Sequence, residues 1–143
     1  MPLETPACWE LLRAADHGVL ATRHATRGVD AVPVVFVIDD AKRIVIPIDS
    51  VKPKSTTRLQ RLVNIATDAR VMVLAEHYED DWTQLWWVRA RGRAGEAELS
   101  EAHGKLLADK YPSYVDAASI VSTIVVDVEE VSGWKASAAS TSA

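Results

Sequence analysis

The chain has 143 residues, a formal net charge of −4, and 48% hydrophobic and 25% charged residues. That is the size and balance of one globular domain around one core, not of a disordered, fibrous or membrane chain. An overall negative charge gives no general attraction to nucleic acid or anionic lipid, so any anion site must come from local clustering.

In chain order, Thr5-Pro6 reads as an N-cap followed by proline in the first turn. Cys8, Leu11, Leu12 and Ala15 then recur at helical spacing up to Gly18, which predicts a helix over about 6–16. From there the texture turns β-branched, predicting strands over 17–24, 29–38 and 43–48. The turns Thr26-Arg27-Gly28 and Asp39-Asp40-Ala41-Lys42 are short enough for antiparallel hairpins. Pro33, inside the second strand, lacks the N–H of a ladder donor and points to a sheet edge or bulge.

After Pro53, Ser55 is placed to cap a second helix with an apolar stripe of Leu59, Leu62, Val63 and Ala66, ending before Asp68. Strands follow over 70–78 and 83–97 around the acidic turn Glu79-Asp80-Asp81, with Gly92 and Gly95 permitting bends. Ser100 caps a third helix that ends near Tyr111-Pro112, and a last strand covers 120–131. Residues 1–134 then form one domain and 135–143 a disordered tail, with no repeat and no internal linker. The expected class is mainly β with about three helices: six antiparallel strands closed into a small barrel, because closure removes exposed edges. No βαβ alternation supports a dinucleotide-binding parallel sheet.

The chemistry concentrates in two places. Between Asp49 and Asp68 there is no acidic residue, while Lys52, Lys54, Arg58 and Arg61 gather at the entrance of the second helix. Helix N-termini carry partial positive charge and normally attract Asp or Glu, so this placement is electrostatically wrong for an isolated helix. A phosphate held by Lys52, Lys54, the hydroxyls of Ser55, Thr56 and Thr57, and free N–H groups would resolve the conflict. A solvated basic face reads equally well from the residues alone.

The second concentration is Trp82, Trp86 and Trp87, with Trp134 further on. On a strand, Leu85, Trp87, Arg89, Arg91 and Arg93 share one face and Trp86, Val88, Ala90 and Gly92 the other. The small residues suit a narrow barrel interior. The Trp-Arg face has the composition of an interface core, so a dimer contact is expected there.

The histidines, His17, His24, His77 and His103, lack zinc-ligand spacing and are read as structural, and no metal is expected. There is no Gly-x-Ser-x-Gly, phosphate-binding loop or dinucleotide glycine fingerprint. No nucleophile or base stands out, which is what cofactor-driven hydride transfer allows. The single cysteine, Cys8, excludes an internal disulfide. The N-terminus lacks a leader pattern and no apolar run reaches the ~18–20 residues of a membrane span, so a cytoplasmic protein is expected.

Taken together, Val32-Pro33-Val34-Val35-Phe36, Lys52-Pro53-Lys54-Ser55-Thr56-Thr57-Arg58-Leu59, Asn64-Ile65 to Arg70-Val71, His77-Tyr78-Glu79-Asp80-Asp81-Trp82 and Leu85-Trp86-Trp87-Val88-Arg89 resemble the pyridoxamine 5'-phosphate oxidase-like split β-barrels. Within them the chain is most similar to the branch of oxidoreductases that depend on the deazaflavin coenzyme F420. The resemblance spans nearly the whole chain and implies a homodimer with two cofactor sites at the subunit interface.

Carried onto this sequence, it implies that Lys52, Lys54, Ser55, Thr56 and Arg58 hold phosphate, with Pro53 and Thr57 in the same cofactor-binding segment. The backbone around Val32, Pro33 and Val34 would border the ring, and Trp82, Trp86 or Trp134 would close it from the partner subunit. The implied reaction is hydride transfer between F420 and a conjugated small-molecule acceptor. A flavin mononucleotide (FMN) oxidase-like enzyme and a non-catalytic carrier of F420 or flavin are the alternatives. The arginines and histidine that hold substrate phosphate in true pyridoxamine phosphate oxidases are missing near the C-terminus. Neither nucleic acid nor membrane is an expected partner.

Overall fold

The computed structural model describes residues 1–49, 59–115 and 120–137. Its elements are α1 (Thr5–Ala14), β1 (Gly18–His24), β2 (Gly28–Val34), β3 (Val37–Ile38), β4 (Arg43–Asp49), α2 (Gln60–Thr67), β5 (Arg70–His77), a 3₁₀ turn (Trp82–Gln84), β6 (Trp86–Ala97), α3 (Glu101–Lys110), α4 (Pro112–Val115) and β7 (Ile120–Lys135). Every strand pair is antiparallel, in the order β2-β1-β5-β6-β7-β4-β3. This is the mainly β split barrel expected, with seven strands instead of six among the described residues.

The extra strand comes from the expected 29–38 strand, which breaks at Val35-Phe36. Its first part, β2, lies at one edge of the sheet beside β1, and its second part, β3, lies at the other edge beside β4. The chain therefore crosses the gap between the two edges, and this crossing curls the sheet around a core. Phe36, at the crossing, is fully buried. Its N–H donates to Tyr111 Oη at 3.2 Å, and its carbonyl accepts from Tyr111 Oη and Lys110 Nζ, each at 2.9 Å. The end of α3 thus satisfies the backbone groups that the broken ladder leaves unpaired. Pro33 sits on the edge strand β2, where a residue without an N–H is tolerated.

The interior is filled by Leu12, Leu20, Phe36, Ile44, Ile46, Val73, Val88, Ile124 and Val126, all at most 1% exposed. Period-two alternation on β6 holds as expected: Val88, Ala90, Gly92 and Ala94 turn inward while Arg91 and Arg93 are exposed. Gly92 stands at the register shift between β6 and β7, where a Cβ would meet Asp127 O at 2.1 Å. Only a residue without a side chain permits that approach.

The helix stops and starts are partly displaced from expectation. Ser100 caps α3 as read, its Oγ accepting from His103 N at 3.1 Å. However, α2 begins at Gln60, with Leu59 in a non-helical conformation before it; Ser55, the expected cap, lies outside the described residues. Its buried face is Leu62, Asn64 and Ile65, while Val63 is exposed. Asn64 sets this rotation: its Nδ2 donates to Thr22 Oγ1 at 2.8 Å and Asp30 Oδ2 at 2.9 Å, pinning α2 to β1 and β2. β7 runs to Lys135, past the expected 131, and Ala136 N donates to Leu85 O at 2.9 Å. Among the described residues, no helix is long and apolar enough to cross a membrane.

Candidate functional site

Consecutive strands bring a set of side chains to the outer face of the β2-β1-β5-β6-β7 part of the sheet. The pairing aligns Pro33 with Val19, Val19 with Leu74, Leu74 with Arg89, and Arg89 with Ser132. The next row runs Ala31, Ala21, Met72, Arg91 and Glu130. At ~4.8 Å per strand, Pro33 and Arg89 stand roughly 14 Å apart across a shelf of Val19 and Leu74. Val19, Ala21, Met72 and Leu74 are half-buried, so the shelf is apolar and open.

One end of this face is cationic. A groove of about 420 Å³ is lined by Ala21, Arg23, Val29, Arg70, Met72 and Arg91, with Glu129 and nearby backbone, a volume in the range of small-molecule sites. Arg23 and Arg70 share Asp68, at 3.3 and 2.8 Å. Hydrogen bonds from the Arg70 side chain and backbone hold the Asp68 carboxyl down to about 2. The other end is aromatic. Trp87 lies beside Arg89, whose guanidinium carbon is 4.8 Å from the indole centre, and Trp134 is Trp87's cross-strand partner.

The expected site residues distribute unevenly over this geometry. Lys52, Pro53, Lys54, Ser55, Thr56, Thr57 and Arg58 lie outside the described residues. Pro33 is exposed on the outer face, whereas Val34 is buried and Val32 packs on the core, leaving the β2 backbone as their contribution at the edge. Trp82 is 71% exposed in the 3₁₀ turn. Trp86 points to the inner side, packs on the core and stacks with His77 at 6.3 Å. Trp134 is on the outer side and 36% exposed. Trp86 and Trp134 therefore occupy opposite faces of one sheet end.

From the sequence, Arg89 stands out as an interface residue and, with Arg70, among the residues that carry the resemblance, whereas Met72 and Leu74 draw no notice. Alternation within 70–77 was the available signal. What alternation lacks is register, and only register shows that these side chains share rows with Arg89.

Three of the four histidines take local roles. His24 Nδ1 accepts from the Thr26 and Arg27 N–H groups, each at 3.1 Å, and staples the β1–β2 turn. His77 pairs with Glu79. His103 Nε2 meets Asp39 Oδ2 at 2.9 Å, fastening α3 to the β3–β4 turn. Among the described residues, no group of three or more His, Cys, Asp and Glu side chains is placed to hold a metal ion.

No protein-family model matches the chain, and no curated protein matches it. Solved structures do share its fold. A conserved hypothetical protein from Mycobacterium tuberculosis superposes with a TM-score of 0.74 at 18% identity, over 93% of this chain and 85% of that one. A FAD-binding protein from Mesorhizobium loti gives a TM-score of 0.62 at 18% identity, covering 93% of each chain. A protein provisionally named a pyridoxamine 5'-phosphate oxidase, from Corynebacterium glutamicum, gives 0.58 at 17% identity, covering 93% of this chain and 90% of that one. At these identities the likeness is one of fold: the split barrel of the pyridoxamine 5'-phosphate oxidase-like proteins.

Proposed function

We propose that the chain is one subunit of a homodimeric oxidoreductase that holds a flavin-type redox cofactor on the outer face of the sheet. The deazaflavin coenzyme F420 is the favoured cofactor and FMN the alternative. The observation that carries this reading is the makeup of that face: an open apolar shelf with a cationic groove at one end and an arginine against a tryptophan at the other. Solved proteins of the same fold include a FAD-binding one.

The described residues fit such a group. The shelf is wide enough for a tricyclic ring, and the Nε of Arg89 is shielded from water without an acceptor. A buried donor left unmatched is unfavourable and calls for a partner. When bound, the cofactor supplies hydride transfer to or from a conjugated small-molecule acceptor.

The chain's own part is binding and orientation. Val19, Leu74 and Met72 exclude water from one ring face. The Lys52–Arg58 segment supplies cations and hydroxyls for phosphate. Arg23, Arg70 and Arg91 give the groove a field suited to the longer and more anionic tail of F420. A second subunit laid on this face would cover its half-buried apolar side chains, with Trp82 or Trp134 closing the ring from the partner.

The test is mass spectrometry of whatever the purified chain retains from a mixture of cofactors, followed by titration. Tighter binding of F420 than FMN supports the reading, and equal or reversed affinities shift it to FMN. A chain that retains neither, or that sediments as a monomer when loaded, overturns it. Tight binding with no oxidation of reduced cofactor by a panel of conjugated acceptors favours the carrier.

A further inference from the structure

The outward arginines of β6 differ in what they touch. Arg91 Nε lies 3.7 Å from Glu130 Oε1, and Arg93 Nε lies 3.6 Å from Glu129 Oε2, all four side chains more than half exposed. Arg89 is different. Among the described residues no carboxylate pairs with it, and its Nε is closed off from solvent with no hydrogen-bond partner. Its guanidinium is held against the Trp87 indole, and its cross-strand neighbours are Leu74 and Ser132.

A guanidinium is planar and donates in its own plane. The Trp87 indole, its centre 4.8 Å from the guanidinium carbon, backs the group on one side, and Leu74 with Val19 beyond it gives an apolar flank, while Glu76 and Arg91 stand one step further along the same face. A phosphate, which calls for several converging donors, is less well served here, because Arg91, the next cation on this face, is already paired with Glu130. A flat heteroaromatic ring is better served, because its face can lie on the shelf while a carbonyl oxygen at its rim meets the guanidinium. Low local polarity strengthens such a bond.

We propose that Arg89 reads the ring of the bound ligand, taking its carbonyl edge, and that this contact is separate from any made to the phosphate or tail. The inference rests on the flavin-type reading and adds to it the residue that recognises the ring itself.

Riboflavin, which has the ring without the phosphate, separates the two contacts. The experiment titrates the full chain and its Arg89→Met and Arg89→Lys variants with riboflavin and with FMN, following ligand fluorescence. Sedimentation and thermal unfolding of each variant are recorded alongside. Arg89→Met should weaken both ligands by the same factor, about tenfold or more, the scale for a hydrogen bond to a charged group. Arg89→Lys should recover part of it, with fold and assembly unchanged.

A loss confined to FMN would make Arg89 a phosphate contact and overturn the proposal. So would unchanged affinity for both ligands, or a dissociated dimer at unchanged affinity, which would assign Arg89 to a carboxylate of the second copy. For a wild-type chain that binds F420 but neither riboflavin nor FMN, the same variants are titrated with F420: unchanged affinity in Arg89→Met overturns the proposal, and a loss of about tenfold, partly recovered in Arg89→Lys, supports it. If none of the three ligands binds, the cofactor reading fails first and this one with it.

Discussion

Two polar clusters of this barrel make an instructive contrast. Asp39, at the β3–β4 turn, is buried and spends both carboxylate oxygens on its own chain. Oδ1 accepts from the N–H groups of Ala41 and Arg43 at 3.0 and 2.9 Å, and Oδ2 meets Arg43 Nε at 3.0 Å and His103 Nε2 at 2.9 Å. Arg89, on the outer face, has a shielded donor and nothing to give it to. Cavity size does not tell the two places apart, since the groove beside Asp39 holds about 500 Å³ against about 420 Å³ on the outer face. Satisfaction does. A cluster whose donors and acceptors match is doing structural work, whereas Arg89, with an unmatched donor on an open face, has capacity left for a further partner.

The most forceful way to break that contrast is to remove Asp39. Burial pushes its carboxyl up, yet the hydrogen bonds from the Arg43 backbone, His103 and the Arg43 side chain outweigh burial and leave it below the usual carboxylate range. Asp39→Ala orphans two backbone N–H groups and the His103 ring, so it should cost about 3 kcal/mol of stability in urea unfolding. Cofactor affinity of the folded fraction should stay at the wild-type value. A large loss of affinity at preserved stability would place the site in the Asp39 groove instead.

The complementary substitutions act on binding and spare the fold. Lys54→Ala and Arg58→Ala should each weaken cofactor binding by about 1–3 kcal/mol, the scale of a charge-assisted hydrogen bond. Their urea midpoints should match the wild type. Titration showing no change in either variant would mean that the basic segment only faces water.

A smaller effect is expected from the paired arginines of β6. Arg91→Gln and Arg93→Gln break exposed ion pairs at 3.7 and 3.6 Å, and each should shift stability by no more than about 0.5 kcal/mol. A larger loss in the dimer's unfolding curve, but not in that of diluted monomer, would show that these pairs are covered by a second copy.

The same contrast explains how far the residues alone could be read. Local rules worked where local physics decides: Ser100 caps α3, Asp68 ends α2, Pro33 falls on an edge strand, and β6 alternates. They failed where the whole sheet decides. The run through Val35-Phe36 has the β-branched texture of one strand, and only closure of the barrel makes it two. The start of α2 moves to Gln60, where Asn64 finds buried partners on β1 and β2 that no spacing rule could name. At the site, composition was legible but satisfaction was not. Arg89, Arg91 and Arg93 look alike in the sequence, and only cross-strand register shows which of them lacks a carboxylate.

The finest test of the comparison uses Asp68, a carboxylate spent on two arginines of the cationic groove. Its folded value of about 2 lies below the ordinary 3.8, because the Arg70 side chain and backbone donate to it. Depression of this kind means that the folded chain binds the proton less readily than the unfolded one. The contribution of Asp68 to stability is therefore fully present above about pH 4, shrinks as pH falls below that, and is gone below about pH 2. Asp68→Asn should accordingly unfold at lower urea than the wild type at pH 5, with the gap closing as the pH is taken down to 2. At neutral pH the variant also frees Arg23 and Arg70, so an anionic tail should bind the groove slightly more tightly while riboflavin binding stays put. A gap that persists unchanged at pH 2 would show that the Asp68 side chain acts through its shape as a turn residue, with its charge contributing nothing.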